Sequence, residues 1–151
     1  MKELILSNTF AKALIDDEDY ERCMLYNWNL GQNKVEAHYR SQENINLSNF
    51  VMQDSKSMYD HKNRNLFDNQ KINLRIASKS QNQINRDKFH HGKSKYKGVS
   101  WESSRNKWRS TCGSIFLGRF NSEVRAAQAY NVKALEVYGE FAVLNIIEGD
   151  L

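Results

Sequence analysis

The chain contains no proline in 151 residues. The most reliable marker of a turn or a helix boundary is therefore missing, and segment limits must be sought in glycine, serine and charge. There are two cysteines, Cys23 and Cys112, far apart and outside any CxxC pair. That excludes a disulfide framework or a cysteine zinc cluster and leads us to expect a reduced, intracellular protein. No apolar run approaches the roughly 18 residues of a membrane span, so no membrane partner is expected. The N-terminal "MKELILSNTFAKALIDDEDY" lacks the basic start, apolar centre and small-residue cleavage site of a signal peptide. The length suits one ordinary domain or two small ones, and a domain of about 60 residues buries only about 60% of its unfolded surface.

What is present is unevenly placed charge. The net charge is only +4, but residues 86–119 hold nine basic side chains against two acidic ones, whereas residues 1–86 hold twelve against eleven. A concentrated basic stretch is the footprint of a polyanionic partner, most often nucleic acid. The alternative is an ordinary solvated surface. "DKFHHGKSK", residues 87–94 and Lys95, is polar, basic and broken by Gly92; residues 87–94 read as a linker, with His90 and His91 as plain linker residues.

Before that linker, "IDDEDYERCMLYNWNL" carries acids followed by Tyr20, Met24, Leu25 and Trp28 at roughly helical spacing. It predicts a helix from about Asp17 to Tyr26, with the acids favouring its positive end. "KVEAHYR" and "NINLSNFVM" read as short strands or strand–helix transitions. "SMYDH" ends in the pair Asp60-His61; Asn73 follows, then the strand-like "NLRIAS" and the helix-like "KSQNQINR". On that helix Asn82 and Arg86 are four apart and share a face. Metal-dependent phosphodiester cleavage needs a base and a cation. Histidine with its unperturbed pKa of about 6.5 supplies the first, and Asp and Asn oxygens suit a hard cation. The competing reading is an asparagine-rich loop with a structural histidine.

The stretch "YDHKNRNLFDNQKINLRIASKSQNQINR" resembles the HNH motif of phage and intron-encoded homing endonucleases, in the DH pair, the DN before NLR and the downstream asparagine. The resemblance implies two strands and a helix around one divalent metal, Mg2+ or Mn2+. Asp60 and Asn82 would be metal ligands, His61 the general base, and Asn73 the residue orienting His61 and its loop. Arg86 is our candidate phosphate contact. Relatives carry a His-Arg pair upstream where this chain has Ser48-Asn49, which leaves a binding-only protein as the alternative.

After the linker, "YKGVSW", "KWRSTC" and "SIFLGRF" are β-branched and aromatic runs separated by the turns "ESSRN" and "GS". They predict a three-stranded antiparallel meander. Ser122 then caps a helix "EVRAAQAYNVKALEVY" that Gly139 stops, with Val124, Ala127, Tyr130, Ala134, Val137 and Tyr138 at helical spacing. One sheet face would lie under this helix. The other would carry some subset of Lys97, Lys107, Arg109 and Arg119, with Lys95 nearby and Arg105 at a turn. Such a sheet can enter the major groove of double-stranded DNA. Trp101, Trp108 and Phe116 are expected in the core.

This segment resembles the APETALA-type (ethylene-response-factor) DNA-binding domain, through Tyr96, Gly98 and Val99, Lys107-Trp108, Leu117-Gly118, Phe120, Ala126-Ala127, Ala129-Tyr130, Ala134, Gly139 and Ala142 to Asn145. The resemblance implies that the sheet reads DNA, with Lys97, Ser100, Thr111, Arg119 and Tyr130 at or near contact positions. Ser100 and Glu102 stand where plant members carry arginines, so their sequence preference does not transfer.

The whole is thus expected to be α+β. A ββα-metal HNH nuclease module (1–86) and a linker (87–94) precede an APETALA-type DNA-binding domain (95–148). This would be a cytoplasmic DNA endonuclease of phage or mobile-element origin. A catalytically decayed DNA-binding regulator is the alternative, and an RNA-binding module fits the charge but not a groove-reading sheet. A one-site monomer would nick; a dimer could cut both strands.

Overall fold

A computed structural model describes residues 1–38, 44–85 and 93–147. Arg86 and linker residues 87–92, with His90 and His91, lie outside the described residues. The fold is mixed α+β, built from several small sheets. It divides into two compact units, Met1–Ser80 and Gln81–Leu151.

In the first unit β1 (Lys2–Ile5) pairs antiparallel with β2 (Lys12–Ile15). Their alternating Leu4, Ala13 and Ile15 face a core shared with Cys23, Trp28, Val35, Ala37, Leu47, Val51 and Leu74. The expected Asp17–Tyr26 helix is shorter. A 3-10 turn, Asp17–Asp19, runs into a single α-helical turn, α1 (Tyr20–Cys23). Met24 and Leu25 are exposed, so there is no apolar face to prolong it. The Trp28 indole donates to the Cys23 carbonyl at 2.8 Å, fixing the chain where the helix ends. A second sheet follows in the order β3 (Trp28–Leu30), β4 (Val35–Ala37), β5 (Ile45–Asn46).

Asn46 then caps α2 (Leu47–Met52), its side chain accepting from Ser48 N and Ser48 Oγ at 3.3 and 3.1 Å. Asn49, the other half of the Ser48-Asn49 pair, donates to the carbonyls of Asp54 and Ser57, both at 2.7 Å. These two residues serve α2 and the loop that leads out of it. That loop enters β6 (Tyr59–His61), which pairs antiparallel with β7 (Leu74–Ile76). Helix α3 (Lys79–Ile84) follows, and the division between units falls within it.

In the second unit β8 (Val99–Glu102), β9 (Lys107–Cys112) and β10 (Ile115–Phe120) form the antiparallel meander. Helix α4 (Glu123–Tyr138) starts at Ser122, whose side chain accepts from Arg125 N, and ends at Gly139. Its buried face is Ala126, Ala127, Tyr130 and Ala134. Val124 and Val137 are exposed, which corrects the apolar stripe expected from spacing. The cause is close approach of helix to sheet: Ser110, fully buried on β9, donates from Oγ to the Ala126 carbonyl at 2.8 Å. A β-branched residue at the contact would hold the two layers apart. Asn145 locks the chain end, accepting from Lys97 N at 2.6 Å and donating to Lys97 O at 3.0 Å.

Candidate functional site

The β6–β7 hairpin sets Asp60 opposite Arg75 and His61 opposite Leu74. Asp60 is 5% exposed, and its Oδ2 accepts from Arg75 Nε at 3.0 Å and Nη2 at 2.9 Å. Successive strand residues point to opposite faces, so the pair shares one site only at the strand end, where His61 sits. His61 is half-buried. Burial pushes its imidazole below the ordinary histidine value, while the Asn69 hydrogen bond and the Asp60 and Asp68 carboxylates pull it back up. At neutral pH the ring is therefore uncharged.

Which nitrogen holds the proton follows from Asn69. This fully buried amide donates from Nδ2 to the Leu66 carbonyl at 3.0 Å, which turns its Oδ1 towards His61 Nε2 at 3.2 Å. An oxygen only accepts, so Nε2 carries the hydrogen and the neutral ring has its lone pair on Nδ1. Asn73, expected to orient His61 and its loop, holds the loop that follows His61, while the ring itself meets Asn69. Asn73 Oδ1 accepts from Asn63 N at 3.0 Å, and its Nδ2 donates to Asn63 Oδ1 at 3.0 Å and to the Asp68 carbonyl at 2.7 Å.

The acidic stretch has a related job. Asp16 accepts from Lys71 N at 2.8 Å, and Glu18 and Asp19 both pair with the Lys71 ammonium. They anchor the turn Lys71–Asn73, and with it Asn73. Asp19 also takes Arg22, which donates onward to the Phe50 and Val51 carbonyls of α2.

Asn82 is half-buried on α3, in the second unit. Among the described residues no three His, Cys, Asp or Glu side chains cluster as a metal site. The donors named for a metal, one carboxylate and one amide, are oxygens of the kind magnesium or manganese takes. The Arg75 guanidinium already balances the Asp60 charge.

The second candidate surface is the sheet face turned away from α4. Register fixes its rows. Ser100, Arg109 and Arg119 lie side by side across β8, β9 and β10; Glu102 faces Lys107; Thr111 faces Phe116. The guanidinium groups of Arg109 and Arg119 stand over the Phe116 ring, 5.5 and 5.0 Å from its centre. Phe116 is 48% exposed, so its expected core role is corrected. A register shift between Phe116 and Gly118 turns it outward. Trp108 does pack against the core, and Trp101 meets it edge to face at 4.9 Å.

Glu102 accepts from Arg119 Nε at 2.7 Å and Nη2 at 3.3 Å, and pairs with Arg105 Nε at 3.1 Å. Its carboxyl is held below the usual value, foremost by the Arg119 hydrogen bond. The Lys107 ammonium donates to Asn121 Oδ1. Lys97 donates from Nζ to the Ile84 carbonyl at 2.6 Å, and the Lys95 ammonium lies 5.3 Å from the Tyr96 ring centre. Tyr130 is 3% exposed and packs with Cys112 and Ala134 beneath the sheet. It is a core residue, not a surface contact, and burial raises its phenol pKa.

Sequence reasoning missed Asn69, Glu102 as a counter-ion and Phe116 as a surface ring. Strict alternation from Arg119 would turn Phe116 inward, and only the register shift at Gly118 brings it to the outer face. Nothing local singled out Asn69 from its neighbouring asparagines.

No family model matches the chain, and no solved structure matches it significantly. It is similar to Ethylene-responsive transcription factor WRI1 of Arabidopsis thaliana, 36% identical over 63 residues. The match takes in 38% of this chain and 15% of that protein's length, so the chain spans only a small part of the curated relative.

Proposed function

We propose that this protein is a DNA endonuclease of the HNH type. Residues 95–148 would bind duplex DNA and residues 1–86 would carry the hydrolytic residues. The observation that carries the DNA-binding half is the row Ser100–Arg109–Arg119 with Lys107 beside it, exposed on a three-stranded sheet. A ribbon of this kind fits the major groove, about 12 Å wide, and guanidinium forks suit both phosphate and guanine. Similarity to a transcription factor supports the same reading. The candidate surface comprises Lys95, Lys97, Ser100, Arg105, Lys107, Arg109, Thr111 and Arg119; Tyr130 is omitted because it is buried.

The nuclease half is supported by the order strand β6, strand β7, helix α3, with Asp60-His61 closing the first strand and Asn73 preceding the second. It is further supported by the neutral His61 ring with its proton fixed on Nε2. In hydrolysis, Nδ1 takes a proton from water as the water oxygen bonds to phosphorus and the bond to the departing oxygen breaks. Asp60 is the residue of the first unit that would hold magnesium or manganese, which would supply positive charge against the developing oxyanion.

The binding-only reading keeps one specific observation in its favour, the Arg75 guanidinium already seated on Asp60. The decisive experiment incubates purified protein with supercoiled plasmid in magnesium or in excess chelator, beside a duplex-binding titration. Nicked or linear plasmid in magnesium alone is expected. Binding without cleavage in either magnesium or manganese would establish the regulator instead. The Lys107→Ala, Arg109→Ala double variant should bind with a log affinity–log salt slope shallower by about 1 to 2.

A further inference from the structure

The exposed face of the β8–β9–β10 sheet holds one carboxylate among its cations. Glu102 presents one oxygen to Arg119 Nε and the other to Arg119 Nη2, at 2.7 and 3.3 Å. Arg105 reaches Oε1 from the β8–β9 turn at 3.1 Å. This fork-on-carboxylate geometry is the one a guanidinium uses on a phosphate. The side chain of Glu102 is 22% exposed, less than those of Arg119 and Arg105 at 36% and 62%. The carboxylate is therefore the less accessible partner in each pair. Arg119 is also in register with Arg109 and Ser100, and shares the Phe116 ring with Arg109. It lies on the edge strand β10 beside Arg109 of the central strand, and it is already occupied.

We infer that Glu102 is a specificity-determining residue of this face: an internal stand-in for phosphate that occupies Arg119 and Arg105 until the right duplex displaces it. This rests on the DNA-binding reading above. An arbitrary stretch of duplex offers Arg119 only phosphate, so binding must break an existing pair and bring phosphate charge against a carboxylate. A groove with a G·C pair at the right step rehouses both partners. Arg119 bonds guanine O6 and N7, and Glu102 accepts from the cytosine N4 amine. Charge alone is then poorly rewarded and sequence well rewarded, which is how a repulsive group creates specificity.

The test compares the full-length wild type with Glu102→Gln, Arg119→Gln and the double variant. Binding of a fluorescent mixed-sequence duplex of about 24 base pairs is titrated across salt in chelator. Rupture of an exposed pair and loss of like-charge repulsion together predict that E102Q binds this duplex roughly three- to tenfold tighter. The salt slope should steepen by about 1. In the R119Q background E102Q should gain much less, because the competitor acts through Arg119. Selection from a random duplex library should give E102Q a more degenerate preference than the wild type. Salt-dependent binding by the wild type that E102Q leaves unchanged in affinity, slope and preference overturns the inference while the DNA-binding reading stands. No binding by wild type or E102Q at low salt, with both folded by circular dichroism, overturns that reading and the inference with it.

Discussion

Two glycines in the second unit separate steric from conformational cost. Gly98 and Gly139 have φ of +75° and +52°, where an L side chain is strained. A Cβ at Gly98 would lie 2.6 Å from both the Thr111 carbonyl oxygen and Tyr130 Cε2, and closer still to Cδ2 of that ring. A Cβ at Gly139 would meet nothing within 4 Å. Neither neighbour of Gly98 can yield cheaply. Thr111 is held by its N–H to the Gly98 carbonyl at 2.8 Å, and the Tyr130 ring is locked under the sheet. Alanine at a positive φ costs about 1–2 kcal/mol, and forcing an extra methyl into a packed site adds about 1–3 kcal/mol. Gly98→Ala should therefore destabilise the unit by about 2–5 kcal/mol, and Gly139→Ala by about 1–2 kcal/mol. In urea, with a slope of about 1 kcal/mol per molar, the midpoints should fall by about 2–5 M and 1–2 M. Tryptophan emission in a Trp28→Phe background follows Trp101 and Trp108 alone. Equal midpoint shifts for the two variants would refute the packing argument.

His61→Ala should lower plasmid cleavage roughly 10²–10⁴-fold while duplex affinity in chelator stays at the wild-type value; Asn69→Ala should lower kcat more than it raises KM, since it frees the ring rather than removing it. Asn73→Ala leaves the Asn63 N–H and Asp68 carbonyl without their amide partner, and should cost the first unit about 2–4 kcal/mol in urea unfolding followed by Trp28. Asp54 accepts from Ser57, Lys56 and Tyr59, and these bonds hold its carboxyl at about 2 against an ordinary 3.8. Because the folded value is the lower one, its contribution is full above pH 3.8 and is lost as pH falls towards 2. Asp54→Asn should flatten that part of the acid unfolding curve, and an unchanged curve would deny the carboxylate this role.

The meander was legible because two independent signals agreed. Aromatic and β-branched runs fell between polar turns, a capped helix followed to cover one face, and the register has Lys107, Arg109 and Arg119 on the other. Helix α4 was legible at both ends, from the Ser122 cap and Gly139. Its buried face was not. Hydrophobicity nominates Val124 and Val137, but contact distance selects Ala126, Ala127 and Ala134, and that distance is set by Ser110 reaching the helix backbone from the sheet. Propensity carries no information about how near a neighbouring layer will lie.

The asparagines between Asp60 and Ser78 pose the same question at closer range. The segment from Lys62 to Asn73 has no strand partner for most of its length; Leu14 and Asp16 partner Phe67 O, Asn69 N and Lys71 N, and much of the rest is satisfied from within. Asparagine serves because its amide is both donor and acceptor, like the peptide group it replaces. Asn63 Oδ1 takes Asn65 N, Asn65 Oδ1 takes Phe67 N, and Asn73 closes the loop on Asn63 and Asp68. That much follows from composition: a proline-free, asparagine-rich stretch can build its own scaffold. Which amide then meets His61 depends on where the chain reverses, and Arg64 does this at φ +63° just after Arg64 N bonds back to the His61 carbonyl. A long basic residue gives no hint that it will adopt a left-handed conformation. Once it does, Leu66 comes round to receive Asn69, and Asn69 rather than Asn73 is delivered to the imidazole. One unpredictable backbone angle thus decides which of several chemically identical side chains fixes the tautomer of the candidate base.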